Sequence, residues 1–232
     1  MKSLSGKWAL ITGSSRGIGQ QIALGLAQHQ CNIILHARAS EHLEKTRELL
    51  DTMNIEVHCV AGDVGTVEGR ASILRGIQQG PQRVDILYNN AGIMSPWKEV
   101  WEITEEDWQK TFAVNLFGLI ELSRALIPAM IERGFGRVIN LSSGIRDIPQ
   151  LAPYSVSKAA VDKYTSDLAA ELRGSNVLVN GLDPGWLKTD LGGPDADFDV
   201  ETVLPGALVP ALLGQDGENG KIFRAQDYRK QG

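Results

Sequence analysis

The chain has 232 residues, 43% of them hydrophobic, which suffices to bury a complete core as one domain of ordinary globular composition. Its formal net charge of −5 argues against nucleic acid or an anionic membrane surface as a partner. No apolar run in the sequence approaches the length needed to span a bilayer, so no membrane association is expected.

Met1-Lys2-Ser3-Leu4-Ser5-Gly6-Lys7 lacks the apolar segment of a signal peptide, and a cytoplasmic protein is expected. Residues 8–11 form a short apolar strand that ends in Thr12-Gly13-Ser14-Ser15-Arg16-Gly17-Ile18-Gly19. Ile22, Leu24, Leu26 and Ala27 then recur as a helix. Strand, glycine-rich turn and helix is the context in which a glycine motif becomes meaningful. Gly13 permits the tight turn, Gly17 lets backbone approach a pyrophosphate, and Gly19 lets the helix pack on the strand. The helix N-terminus adds free N–H groups and a partial positive charge. Glycine turns also occur without a ligand, and the spacing here is G-x-x-x-G-x-G, so the motif needs support from elsewhere.

Strand and helix signals then alternate. Residues 32–35 read as a buried strand, about 41–53 as a helix, 55–60 as a strand, about 66–79 as a helix and 84–88 as a strand. Cys31 and Cys59 sit at strand starts and read as reduced core residues. His29, His36, His42 and His58 have no metal-ligand spacing; they read as solvated or core histidines, and no metal is expected. Repeated β-α-β units predict an α/β fold: one domain over 1–232 with a doubly wound parallel sheet of about seven strands and helices on both faces. Ligands of such sheets bind at the carboxyl ends of the strands. Arg38, Asp63-Val64 and Asn89-Asn90-Ala91-Gly92 follow the second, third and fourth strands and fall at that edge.

Residues 93–103, with Met94, Pro96, Trp97 and Trp101, read as a loop. Thr104-Glu105-Glu106-Asp107 opens a helix that runs to about Arg133, with Asn115 as a polar amide in an apolar stretch. Residues 137–141 form the next strand, with Ser142-Ser143 at its end. Pro153 opens a helix over about 153–173, in which Tyr154 and Lys158 lie one turn apart on one face. A phenol has an unperturbed pKa of about 10, and a neighbouring cation lowers it toward the working range. A sixth strand at 177–180 leads into Asp183-Pro184-Gly185-Trp186-Leu187-Lys188-Thr189. Residues from 190 to about 203 read as a substrate flap, about 201–213 as a helix, and 221–223 as a closing strand.

Taken together these features resemble the short-chain dehydrogenase/reductase family, in its NADP-preferring carbonyl-reductase-like or 3-oxoacyl-carrier-protein-reductase-like branch. The matches come in the family's order: the glycine motif, Asp63, Asn89-Asn90-Ala91-Gly92, Asn115, a strand-end serine, Tyr154-x-x-x-Lys158, and Pro184-Gly185 followed by Thr189. The resemblance implies a Rossmann-type oxidoreductase that moves a hydride between NADP(H) and a small carbonyl or alcohol substrate. In that scheme Tyr154 is the general acid/base, Lys158 lowers its pKa and binds the nicotinamide ribose, and the strand-end serine orients the substrate oxygen. Asn115 holds a water that links Lys158 to solvent. Gly13, Ser15, Arg16, Gly17, Ile18, Gly19, Arg38, Asp63, Val64, Asn90, Ala91, Gly92, Pro184, Gly185 and Thr189 join Tyr154 and Lys158 around the cofactor. The gap from the strand-end serine to Tyr154 is shorter than the family's usual one; matching the strand end and Pro149 to the family's pattern puts the difference in residues 144–148, and Ser143 is preferred as the catalytic serine with Ser142 as its alternative. Trp186 either walls the substrate pocket or packs internally. An NAD enzyme needs a carboxylate where this chain has Ala37, whereas Arg16 and Arg38 suit a 2′-phosphate. The alternative function is a dinucleotide-binding sensor or scaffold without turnover. Relatives pair the helices at 104–133 and 153–173 across a two-fold axis, so a homodimer or a tetramer built from it is expected.

Overall fold

Strands covered on both faces need no polar–apolar alternation, and short apolar runs therefore suffice to build this sheet. In the computed structural model, which describes residues 3–229, seven strands form it: β1 (Trp8–Ile11), β2 (Asn32–Ala37), β3 (Val57–Ala61), β4 (Ile86–Asn89), β5 (Gly136–Leu141), β6 (Val177–Asp183) and β7 (Ile222–Arg224). Met1, Lys2 and residues 230–232 lie outside the described residues. The strands are all parallel, in the order β3-β2-β1-β4-β5-β6-β7. This is the Rossmann-type sheet that the alternating pattern predicts. β1 neighbours both β2 and β4, which places the topological switch point at the end of β1, where the glycine turn begins.

Successive strand residues face opposite cores. Ala9, Ile11, Ile33, Leu35, Ile86 and Tyr88 pack with Ile22 and Leu26 of α1 (Gly17–Gln28) and Leu50 of α2 (Glu44–Leu50). Leu10, Ile34 and Leu87 pack with Ile73 and Ile77 of α3 (Val67–Gln79) on the other face. Leu122, Ile127 and Met130 of α5 (Gly118–Glu132) and Ala169 of α6 (Ala152–Glu171) complete that second layer.

Several elements differ from expectation. The helix expected over about 104–133 is α4 (Glu105–Phe112), a π-helical turn (Ala113–Phe117) and α5. Thr104 caps α4 with a full capping box, its hydroxyl accepting from Asp107 N–H while the Asp107 carboxylate accepts from Thr104 N–H. By length and composition the stretch Glu105–Glu132 passes for a membrane span, which corrects the reading that no such run exists. In this fold it is instead the helix whose apolar residues cover the sheet. The helix expected near 41–53 is shorter, a 3-10 turn (Ser40–Leu43) followed by α2. The helix expected over 201–213 is two 3-10 segments, Val200–Val203 and Gly206–Leu212, because Pro205 and Pro210 lack the N–H an α-helix requires. Cys59 lies inside β3 rather than at its start and is partly exposed; Cys31 is buried, and both are free thiols. The flap at 190–199 has no regular structure and is stitched at its base, where Lys188 N–H donates to Phe198 O and Phe198 N–H to Trp186 O.

Candidate active site

At the end of β1, Gly13 and Gly17 both lie in the left-handed region, at φ +65° and +59°. A Cβ on Gly19 would come 2.3 Å from Gly13 O, so the helix can close on the turn only with glycine there. The turn is clamped from β4. Thr12 Oγ1 donates to Tyr88 O and accepts from the Asn90 and Ala91 N–H groups, while Asn90 Nδ2 donates to Thr12 O at 2.7 Å and Gly13 O at 3.1 Å. Asn90 thus shapes the cradle with its side chain. His36, read as a solvated or core histidine, is buried beneath the turn: Gly13 N–H donates to its Nδ1.

Beside the turn, Ala37 is buried and Arg38 is exposed at the mouth of the groove. Arg16 pairs with Asp190 of the flap at 2.7 Å, both side chains being exposed. Asp63 Oδ1 accepts from Gly65 N–H, which fixes the loop after β3. Thr189 lies against the turn, its Cγ2 3.6 Å from where a Gly17 Cβ would be. Gly185 takes φ +82°, its N–H donates to Asp183 Oδ1, and Gln226 Nε2 donates to Pro184 O.

The candidate reacting groups lie at the carboxyl end of β5 and the first turns of α6. The Ser143 hydroxyl lies by the Tyr154 phenol and favours its ionised form, while the Ser142 hydroxyl favours the ionised form of Asp162. The two serines therefore point to different partners, and Ser143 is the one at the tyrosine. Tyr154 and Lys158 are 7% and 6% exposed. Burial pushes the phenol above its ordinary pKa; the nearby Ser143 hydroxyl works against this, and the field of Asp183 adds to it. That corrects the expectation of a depressed tyrosine pKa. Lys158 Nζ donates to Leu141 O at 2.7 Å and lies 5.7 Å from the Tyr154 ring centroid, so the cation is directed at a carbonyl rather than the phenol. Burial pushes Lys158 itself down to about 8, with Asp162 opposing.

Asn115 sits in the π turn and is buried. Its Oδ1 accepts from Ile93 N–H, and its Nδ2 donates to Ile93 O and Ser157 Oγ. Both amide protons are engaged by protein. A Cβ on Gly92 would sit 3.4 Å from Asn115 Oδ1 and 3.8 Å from Lys158 Nζ, so Gly92 keeps a gap open between them.

One groove of about 1450 Å³ joins these parts, larger than a drug-sized pocket. Every residue assigned from the sequence to catalysis or to the cofactor lines it except Asn115, while Trp101, grouped with the loop residues, is exposed and lies outside it. Trp186, Met94, Trp97, Ile145, Ile148 and Leu151 wall the end beside Tyr154. Trp186 is half exposed with Nε1–H donating to Gly192 O, which settles its place on the wall. His36 and Ser95 also line the groove, and Ser95 Oγ is buried without a partner among the described residues. Neither carries a local motif.

The short chain dehydrogenase family model matches residues 7–198. The chain belongs to the short-chain dehydrogenase family. Dehydrogenase/reductase SDR family member 4 of Rattus norvegicus is 35% identical over 188 residues, covering 80% of this chain and 67% of that one. Gluconate 5-dehydrogenase of Gluconobacter oxydans is 33% identical over 195 residues, covering 82% and 74%. Among solved structures, a gluconate 5-dehydrogenase from Burkholderia cenocepacia in complex with NADP and tartrate superposes with a TM-score of 0.83 at 29% identity, covering 96% and 94%. This short-chain dehydrogenase is therefore an oxidoreductase with a nicotinamide dinucleotide as its cofactor.

Proposed function

We propose that this short-chain dehydrogenase interconverts a small apolar ketone or aldehyde and its alcohol, with NADP(H) as the redox partner. The observation that carries the reading is the meeting of Ser143, Tyr154 and Lys158 at one end of a groove whose other end is a glycine turn flanked by Arg16 and Arg38. The left-handed glycines and the tight Gly19 approach suit a pyrophosphate lying against backbone. Arg38 and Arg16 would meet the 2′-phosphate, and Lys158 and Thr189 would border the nicotinamide end. The bound nicotinamide supplies or accepts the hydride.

In reduction Tyr154 gives its phenolic proton to the carbonyl oxygen, which Ser143 holds and orients. The buried phenol is held protonated, the form from which it donates, but its raised pKa makes it a weaker acid, which the Lys158 charge must offset. Lys158 supplies the positive charge that stabilises the phenolate left behind. The walls of Trp97, Trp186, Ile145 and Ile148 favour an apolar carbonyl over a polyhydroxy acid such as gluconate. Retention of Ser143, Tyr154 and Lys158 together favours turnover over a silent sensor. Phe117 and Val156 leave exposed apolar surface on the π turn and α6, which a second copy of the chain would cover in a homodimer or tetramer.

The test is loss of NADPH absorbance with a panel of apolar ketones and aldehydes, alongside gluconate oxidation with NADP. Tyr154→Phe removes the proton donor and keeps the ring; kcat on the best substrate should fall by about a thousandfold or more, with NADPH affinity retained. Wild-type turnover by the variant would refute the acid–base role. Turnover of gluconate alone would refute the substrate class.

A further inference from the structure

A backbone amide at the mouth of a phosphate-binding turn must find an acceptor. The Gly13 N–H turns inward and donates to His36 Nδ1 at 3.0 Å. On the other side of the ring, His36 Nε2 lies 2.8 Å from Gly62 O. A carbonyl can only accept, so Nε2 carries the proton and Nδ1 is bare. His36 N–H also donates to Ser14 Oγ, and Ser14 N–H donates to His36 O, both at 2.9 Å. One buried residue thus ties together the glycine turn, the end of β2 that carries Arg38, and the loop that carries Asp63. Adding a proton at Nδ1 would remove the acceptor and set two N–H groups against each other.

We propose that His36 is a positioning residue for the dinucleotide, whose neutral imidazole holds the glycine turn in its binding shape and makes cofactor affinity sensitive to acid. This rests on the reading that the groove takes a nicotinamide dinucleotide. Burial holds the imidazole below the ordinary histidine range, with the Gly62 hydrogen bond and the field of Asp63 opposing. Asp63 comes from the loop after β3; Arg16 of the turn, Arg38 of the β2 end and His42 are the other titratable groups lining this end of the groove. The neutral form is the binding form, so affinity is complete above the ordinary histidine pKa and falls as pH drops through the depressed one.

The experiment is NADPH titration by fluorescence between about pH 5 and 8, on wild type, His36→Asn and His36→Leu. Asparagine places a non-titrating oxygen where Nδ1 stands, so it keeps the Gly13 acceptor. The wild-type Kd should rise about tenfold more than that of H36N toward acid. The 2′-phosphate titrates near pH 6 on its own, but it does so for both proteins and cancels in the ratio. H36L leaves the Gly13 N–H unsatisfied and should raise the KM for NADPH about tenfold at the alkaline end, with the loss in KM rather than kcat. Nitrogen NMR of the wild type checks the same point without a variant, by showing the Nε2–H tautomer at neutral pH. Superimposable wild-type and H36N profiles, H36L binding as tightly as wild type, or an Nδ1–H tautomer would each overturn the proposal. Failure of wild type to bind either NADPH or NADH at any pH would overturn the dinucleotide reading and this role with it.

Discussion

Lys158 is an ammonium buried against one carbonyl, Leu141 O. Its folded pKa of about 8 lies below the ordinary 10.5, so the folded chain resists the charge it must carry at neutral pH. Stability is therefore depressed below pH 8 and recovers as pH rises from 8 toward 10.5. Lys158→Met should abolish activity yet stabilise the fold by roughly 1–3 kcal/mol, a melting rise of several degrees; calorimetry showing a lower Tm would refute this. Cofactor choice is a second matter for single residues. Arg38 makes no ion pair among the described residues, and the exposed Arg16–Asp190 pair is of a kind worth little in water, so a phosphate competes easily for both cations. NADPH should be preferred over NADH by roughly ten- to a hundredfold, and Ala37→Asp with Arg38→Leu should reverse the order; equal kcat/KM for the two cofactors in wild type would refute it. Tyr154 and Lys158 are legible in the sequence because helical spacing is local. His36 is not, because its partners Gly13 and Gly62 lie 23 and 26 residues away, and nothing about the residue itself announces them.

Among the elements, the π turn is the one that bears on chemistry. It interrupts a helix otherwise continuous from α4 to α5, and it puts Asn115 where its amide closes on Ile93 and Ser157. Ser157 belongs to the same turn of α6 as Lys158, so the loop after β4, the π turn and the catalytic helix are joined through one side chain. Asn115→Leu leaves the Ile93 N–H without an acceptor and should cost about 2–4 kcal/mol, together with loss of kcat; an unchanged Tm would show that the bridge is dispensable. Apolar periodicity identifies the helix but not the π turn, since one additional residue in one turn shifts the stripe too little to read. The prolines at 205 and 210 do carry a local signal, and a stretch containing both is poor material for an α-helix.

For the whole molecule, the layer order was legible because the strands are mainly apolar and separated by helical patterns. What covers the exposed side of the helices was not, since Phe117 and Val156 look in sequence like any other core residue. If the chain forms the dimer or tetramer proposed above, Phe117→Glu with Val156→Glu should convert it to a monomer by light scattering at micromolar concentration, and a monomeric wild type would refute the assembly. The same double burial has a consequence for alignment. A strand with one wet face cannot slip by a residue without exposing its apolar side, but here a slip only exchanges one greasy face for the other. Hydrophobicity therefore leaves the alignment of neighbouring strands undetermined, and polar groups must supply the index marks. Asp85 accepts from Trp8 N–H at the start of β1, Asn89 donates to Asn140 and Ser123 between β4, β5 and α5, and Asn140 donates to Thr165 on α6. Those few buried contacts, rather than the bulk of the core, decide whether the glycine turn and Ser143 arrive at the same edge of the sheet.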